Sequence, residues 1–163
     1  MTKRLATACL MTMFLVGSSP AARAQSSVAA TLKGINTVYV LVEDLPPGAK
    51  VLGLAKETIQ TDVELKLRLA GIRVVTREES FRLPGAPYLY VNLNLADSAQ
   101  NGGASVELKQ NVFLERNGEF AYGVATWETG IVMRTPTAQF IRNSVKDMVD
   151  QFLNAWLSVN PKK

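Results

Sequence analysis

The chain has 163 residues, with 18 lysines and arginines against 14 aspartates and glutamates, and no histidine. The missing imidazole excludes Ser-His-Asp and Cys-His nucleophiles and histidine-held metals, and the lone Cys9 has no second cysteine for a disulfide or thiolate metal site. Three of the four net positive charges come from Lys3, Arg4 and Arg23, so the rest of the chain carries +1 and no affinity for nucleic acid is expected.

Residues 1–24 read as an export signal. Lys3 and Arg4 precede an apolar run from Leu5 to Val16, shorter than the roughly 20 residues that span a bilayer. Ala22-Arg23-Ala24 then places small residues at the positions a signal peptidase reads. Cleavage is expected between Ala24 and Gln25, which delivers the remainder to the periplasm with no stable membrane insertion. Cys9 lies inside the apolar run rather than after it, so it is not read as a lipid-attachment site. The 139 residues that follow Ala24 suit one domain with a core built by packing alone. The expected organisation is a flexible start over 25–36, a single domain over 37–160 and a short tail over 161–163.

Thr37 to Glu43 (TVYVLVE) is a β-branched, apolar run of the kind found in a strand covered on much of both faces. Leu45-Pro46-Pro47-Gly48 ends it. Leu52, Ala55, Ile59, Val63, Leu67 and Ala70 then recur at helical spacing, although Val63 to Leu69 also alternates like a strand. Helix formers, the length of the stripe and Gly71 at a left-handed cap position decide for a helix of about five turns, with Leu65 and Leu69 widening its buried face. Ile72 to Thr76 is a second strand, and strand–helix–strand order implies parallel pairing through a right-handed crossover.

Arg77 to Ala86 reads as a charged loop. From Pro87, Leu89, Val91, Leu93 and Leu95 alternate with Tyr88, Tyr90, Asn92 and Asn94 in a third strand. Asp97 to Gly103 is a polar turn; its Asn101-Gly102-Gly103 joins strand to strand and is no phosphate loop. Ala104 to Thr129 forms a long hairpin about a two-residue turn at Asn117-Gly118. That turn sets Leu114 opposite Ala121, Val112 opposite Gly123 and Leu108 opposite Trp127, with the small Ala121, Gly123 and Ala125 leaving room for a helix. Thr135-Pro136 starts a closing helix, whose stripe is Ile141, Val145, Met148, Phe152, Trp156 and Val159. Its polar face mixes Lys146 with Asp147 and Asp150, which suits core packing rather than a membrane surface.

The fold expected from this order, β-α-β-β-β-β-α, is an α+β two-layer sandwich: a mixed sheet of about five strands with two helices on one face. The signal, the element order, ELKLRLAGIRVV entering the second strand and VATWETG in the last resemble a class of bacterial envelope accessory domains. That class includes the lipopolysaccharide-transport accessory lipoprotein, the curli secretion-channel family and the N-terminal domain of the Tol-system propeller protein. The resemblance spans most of the chain after the signal and implies a periplasmic domain working beside other envelope proteins. It departs where most of those proteins carry a lipid-attached cysteine at the mature N-terminus.

No catalytic residue, cofactor or metal is expected. No serine after the signal is followed three residues later by lysine, and neither Glu43-Asp44 nor Glu78-Glu79 converges as an acid–base pair, because neighbours on a strand point to opposite faces. One cluster stands out. The turn register sets Phe113 opposite Tyr122 with Phe120 nearby, and pairing Leu95 with Val106 sets Tyr88 opposite Phe113. The result is an aromatic row on the face left free by the helices. Such a row either braces the sheet or forms a binding surface for an envelope protein or a second copy. A small-ligand or lipid carrier using the groove between helices and sheet is the alternative.

Overall fold

The computed structural model describes residues 28–161, so the expected signal and its cleavage point lie outside the described residues. Five strands form one mixed sheet: β1 (Thr37–Val42), β2 (Arg73–Val75), β3 (Tyr88–Leu95), β4 (Asn101–Leu114) and β5 (Glu119–Arg134). Their order across the sheet is β2-β1-β3-β4-β5. β1 pairs parallel with β2 and with β3, and the last three strands form an antiparallel meander. Two long helices, α2 (Lys56–Ala70) and α4 (Ala138–Val159), cover one face, with α1 (Pro47–Val51) and α3 (Arg77–Ser80) as short turns. This is the expected α+β sandwich.

The inner face is the apolar half of each alternation. Val38, Val40 and Val42 of β1, Leu89, Val91, Leu93 and Leu95 of β3, and Ala104, Val106 and Leu108 of β4 are buried. α2 lays Ile59, Val63 and Leu67 on them, and α4 adds Ile141, Val145, Met148, Phe152 and Trp156. Burying each of the larger side chains stabilises by about 1.5–3 kcal/mol before entropy is counted. Phe152 meets Trp127 edge to face, with centroids 5.3 Å apart. The two helices are also clamped by charge: Asp62 of α2 accepts from Nε and Nη2 of Arg142 at 3.0 and 2.8 Å and faces Lys146 at 3.3 Å. Burial alone would raise the Asp62 carboxyl, but the hydrogen bonds from Arg142 and Lys146 outweigh it and hold the group below its ordinary 3.8.

Several local expectations change. β1 is buried on one face only, and its Tyr39 and Leu41 are half-buried on the other. Pro47 opens α1 rather than a plain turn. α2 begins at Lys56, not Leu52, and runs 15 residues, ending on Gly71 with φ +97° as the cap position requires. Leu65 and Leu69 are 54 % and 75 % exposed. They lie two residues past Val63 and Leu67, about 200° around the helix, so they cannot share that face. α4 starts at Ala138 because Thr137, not Thr135, supplies the capping hydroxyl to the Phe140 N–H. The expected flexible start is docked from residue 28 onward. Leu32 is fully buried, the Trp156 indole donates to Ile35 O, and Asn160 bonds both the Gly34 N–H and Leu32 O.

The hairpin departs most. Its strands meet at Leu114 and Glu119, so the turn occupies Glu115 to Gly118 and is four residues long. Near the turn Val112 faces Ala121 and Phe113 faces Phe120. Two register shifts follow, between Gln110 and Val112 and between Leu108 and Lys109, each adding a residue on the β5 side. Together they bring back the expected Leu108–Trp127 pair and the regular ladder beyond it. Asn101 to Gly103 belong to β4 rather than to a turn. Ala121 and Ala125 are not buried beneath a helix, and Gly123 serves the opposite face; α4 meets the hairpin at Trp127 instead.

Candidate functional site

The sheet face opposite the two long helices holds a cleft of about 440 Å³. Its floor is set by strand pairing: Tyr39 of β1 lies beside Tyr88 of β3, with Leu41 one pleat along. One wall comes from α3 and the turn after it. Thr76 caps α3 by accepting from the Glu79 N–H while the Glu79 carboxylate accepts from the Thr76 N–H, a reciprocal box that fixes this turn. The buried Ser80 hydroxyl donates to Arg77 O at 2.7 Å. Phe81 then projects beside the cleft, 68 % exposed, with the Arg77 guanidinium 5.9 Å from its ring centre.

The other wall is the bulged part of the hairpin. Gly123 has φ +60° and donates its N–H to Asn111 Oδ1 at 3.1 Å. Asn111 N–H in turn donates to Gly85 O at 2.7 Å, tying the hairpin to the loop after α3. A Cβ at position 123 would stand 3.1 Å from the Tyr88 hydroxyl. The bulge therefore needs glycine twice, for its backbone angle and for the approach of the phenol. It also swings Tyr122, 79 % exposed, to the cleft rim.

Of the four residues expected in an aromatic row, two meet here and two do not. Tyr88 and Tyr122 line the cleft. Phe113 and Phe120 instead pair with each other near the hairpin turn, edge to face at 5.5 Å. Phe113 does not face Tyr122, because the turn is four residues long instead of two and moves its partner by two positions to Phe120; Tyr88 faces Lys109 rather than Phe113, because β3 and β4 pair four residues out of the expected register. Tyr39 was missed because β1 reads as covered on both faces. Phe81 and Arg77 were missed because their segment reads as a loop, although Thr76-x-x-Glu79 is a visible capping signature.

Beside the cleft runs a polar chain. The Tyr90 hydroxyl donates to Glu43 at 2.7 Å, Lys109 Nζ sits 4.0 Å from the Tyr90 ring centre and 3.3 Å from Glu107, and Ser105 donates to Glu107 at 3.2 Å. The bond to Glu43, with help from burial, pushes the Tyr90 phenol up to about 12. Glu43, Asp44 and Glu79 are exposed to solvent. Each has a structural partner: Tyr90 for Glu43, Lys56 for Asp44 at 2.7 Å, and the Thr76 cap for Glu79. Among the described residues no three carboxylate or cysteine side chains gather as metal ligands would.

The fold and cleft define an α+β two-layer sandwich with an aromatic-walled recess on its open sheet face. The chain matches no family model, no characterised protein and no solved structure. Among the described residues, no helix is long and apolar enough to cross a membrane.

Proposed function

We propose that the chain is an exported, non-enzymatic binding domain of the periplasm, which engages another cell-envelope protein or itself through this cleft. The observation that carries the reading is the pairing of exposed Phe81 and Tyr122 on opposite walls over a floor of Tyr39, Leu41 and Tyr88. Exposed aromatics held by a backbone bulge and a capping box give contact area at little entropic expense, as interface anchors do. The resemblance to envelope accessory domains points the same way. A carrier using the groove between helices and sheet fits less well, since Phe152, Leu67, Val63 and Leu89 occupy that space and are almost wholly buried.

The test compares two double variants in a crosslinking pull-down from intact cells, each with a thermal melt. Phe81→Ser with Tyr122→Thr should abolish the partner crosslink and leave the melt nearly unchanged. Phe113→Thr with Phe120→Thr should keep the crosslink and lose about 0.5–1.5 kcal/mol, the worth of one aromatic pair. A cleft variant with an unchanged partner profile would overturn the reading, and a lipid found by mass spectrometry in the purified protein would favour the carrier.

A further inference from the structure

Among the described residues, the sheet has one long open edge. β2, at one side, is three residues long, whereas β5, at the other, runs sixteen. Its first half is protected: two bulges distort it, and the Thr31 hydroxyl donates to Thr126 O at 3.1 Å. The segment Glu128 to Arg134 has no bulge, no proline and no lysine, the usual guards of an edge. Val132 on it is 87 % exposed.

The ladder fixes which backbone groups face outward. Ala96 N–H donates to Asn101 O and Thr135 N–H donates to Gln100 O. Odd-numbered residues of β4 therefore bond β3, even-numbered ones bond β5, and odd-numbered residues of β5 face inward along this segment. Glu128, Gly130, Val132 and Arg134 are left with N–H and C=O pointing away from the sheet. The side chains of Glu128, Val132 and Arg134 lie on the face opposite the long helices, since the odd-numbered Trp127, Thr129 and Met133 face the helices. Glu128 faces Glu107 across the sheet, and among the described residues neither Glu128 nor Arg134 takes part in an ion pair.

We infer that this edge pairs antiparallel with β5 of a second copy, about a two-fold axis through Ile131. In that register Glu128 lies opposite Arg134 of the second copy, and Gly130 opposite its Val132, as hydrogen-bonded pairs that use the outward groups. Ile131 meets its own counterpart on the helix side, where the closer non-bonded spacing favours side-chain contact. The charges select this register: parallel pairing would set Glu128 beside Glu128, and a shift of two residues would leave both charges unmatched. The product is a ten-stranded sheet with all four long helices on one side and both clefts open on the other. Pairing of this size buries less than the roughly 1,200–2,000 Å² of a standard stable interface, so the association depends on concentration. It is independent of the cleft, which lies toward the hairpin turn.

Sedimentation velocity on the protein purified as its cell processes it, across a concentration series, tests this. A monomer–dimer equilibrium that weakens with salt is expected. Glu128→Arg and Arg134→Glu should each raise the dissociation constant on the order of tenfold, and the double exchange should restore it. Val132→Pro removes only an outward N–H and should give a monomer with a native melt. Tyr122→Thr should leave the equilibrium unchanged. A wild type that stays monomeric up to millimolar concentration overturns the inference. So does a double exchange that fails to rescue, or a dimer abolished by Tyr122→Thr.

Discussion

The two faces of the sheet are built on different terms. The inner face is a set of interchangeable apolar side chains whose identity matters mainly through volume: Val38, Val40, Leu89, Val91, Val106 and Leu108 could trade places with modest loss. The outer face holds few apolar contacts, and each of its features depends on a particular atom. Gly123 must lack a Cβ, Tyr90 must carry its hydroxyl, and Lys109 must reach both a ring and a carboxylate. Stability is concentrated on the first face and specificity on the second.

The largest effect expected from breaking that division is on the inner face. Phe152→Ala, at a fully buried side chain packed on Trp127, should lose about 3–5 kcal/mol in denaturant unfolding and leave the partner crosslink intact in whatever fraction stays folded. Asp62→Asn comes next. It strips the charge from the α2–α4 clamp and should lose roughly 1–3 kcal/mol at neutral pH, since its partners Arg142 and Lys146 stay partly buried. Because the folded carboxyl titrates below its unfolded value of 3.8, its contribution is complete above that value and disappears as pH falls through the folded one. The wild type and Asp62→Asn should therefore converge in stability in acid, and a gap that stays constant down to pH about 2 would remove the clamp from the account.

On the outer face the effects are smaller and more specific. Gly123→Ala should lose about 1–2 kcal/mol from the left-handed backbone alone and also disturb Tyr88, so binding through the cleft should weaken more than the melt does. Tyr90→Phe should lose about 0.5–1.5 kcal/mol. The folded phenol titrates near 12 against an ordinary 10, so this stabilisation is present below pH 10 and is lost as pH rises toward 12. Spectrophotometric titration should find a tyrosine ionising near pH 12 in the wild type that the variant lacks.

The same division explains what could be read from the chain. The inner face was legible because alternation in β3 and β4 and the stripe of α4 are one-dimensional patterns, and Gly71 marks its own cap. Leu65 and Leu69 misled because hydrophobicity was counted without their angle around the helix. The outer face depends on which strands become neighbours. Tyr39 meets Tyr88 only because β1 sits between β2 and β3. The turn and the two bulges shift register by amounts that no period-2 pattern records, so Leu108–Trp127 could be found while Phe113–Phe120 could not. The site is therefore less visible than the fold, although Gly123 and the Thr76–Glu79 box are both written in the sequence.

Asn160, which caps the end of α4, holds Leu32 and Gly34 from the first described turn, across more than 120 positions. This clasp gives the domain an order of completion opposite to its order of synthesis. A chain emerging from a ribosome makes Leu32 and Gly34 early and cannot close this clasp until Asn160 is released. Until then the first described turn lacks the bonds that tie it to the end of α4, and a holding factor can act on it. A chain cut short before Asn160 would lack the clasp, whatever the state of its sheet.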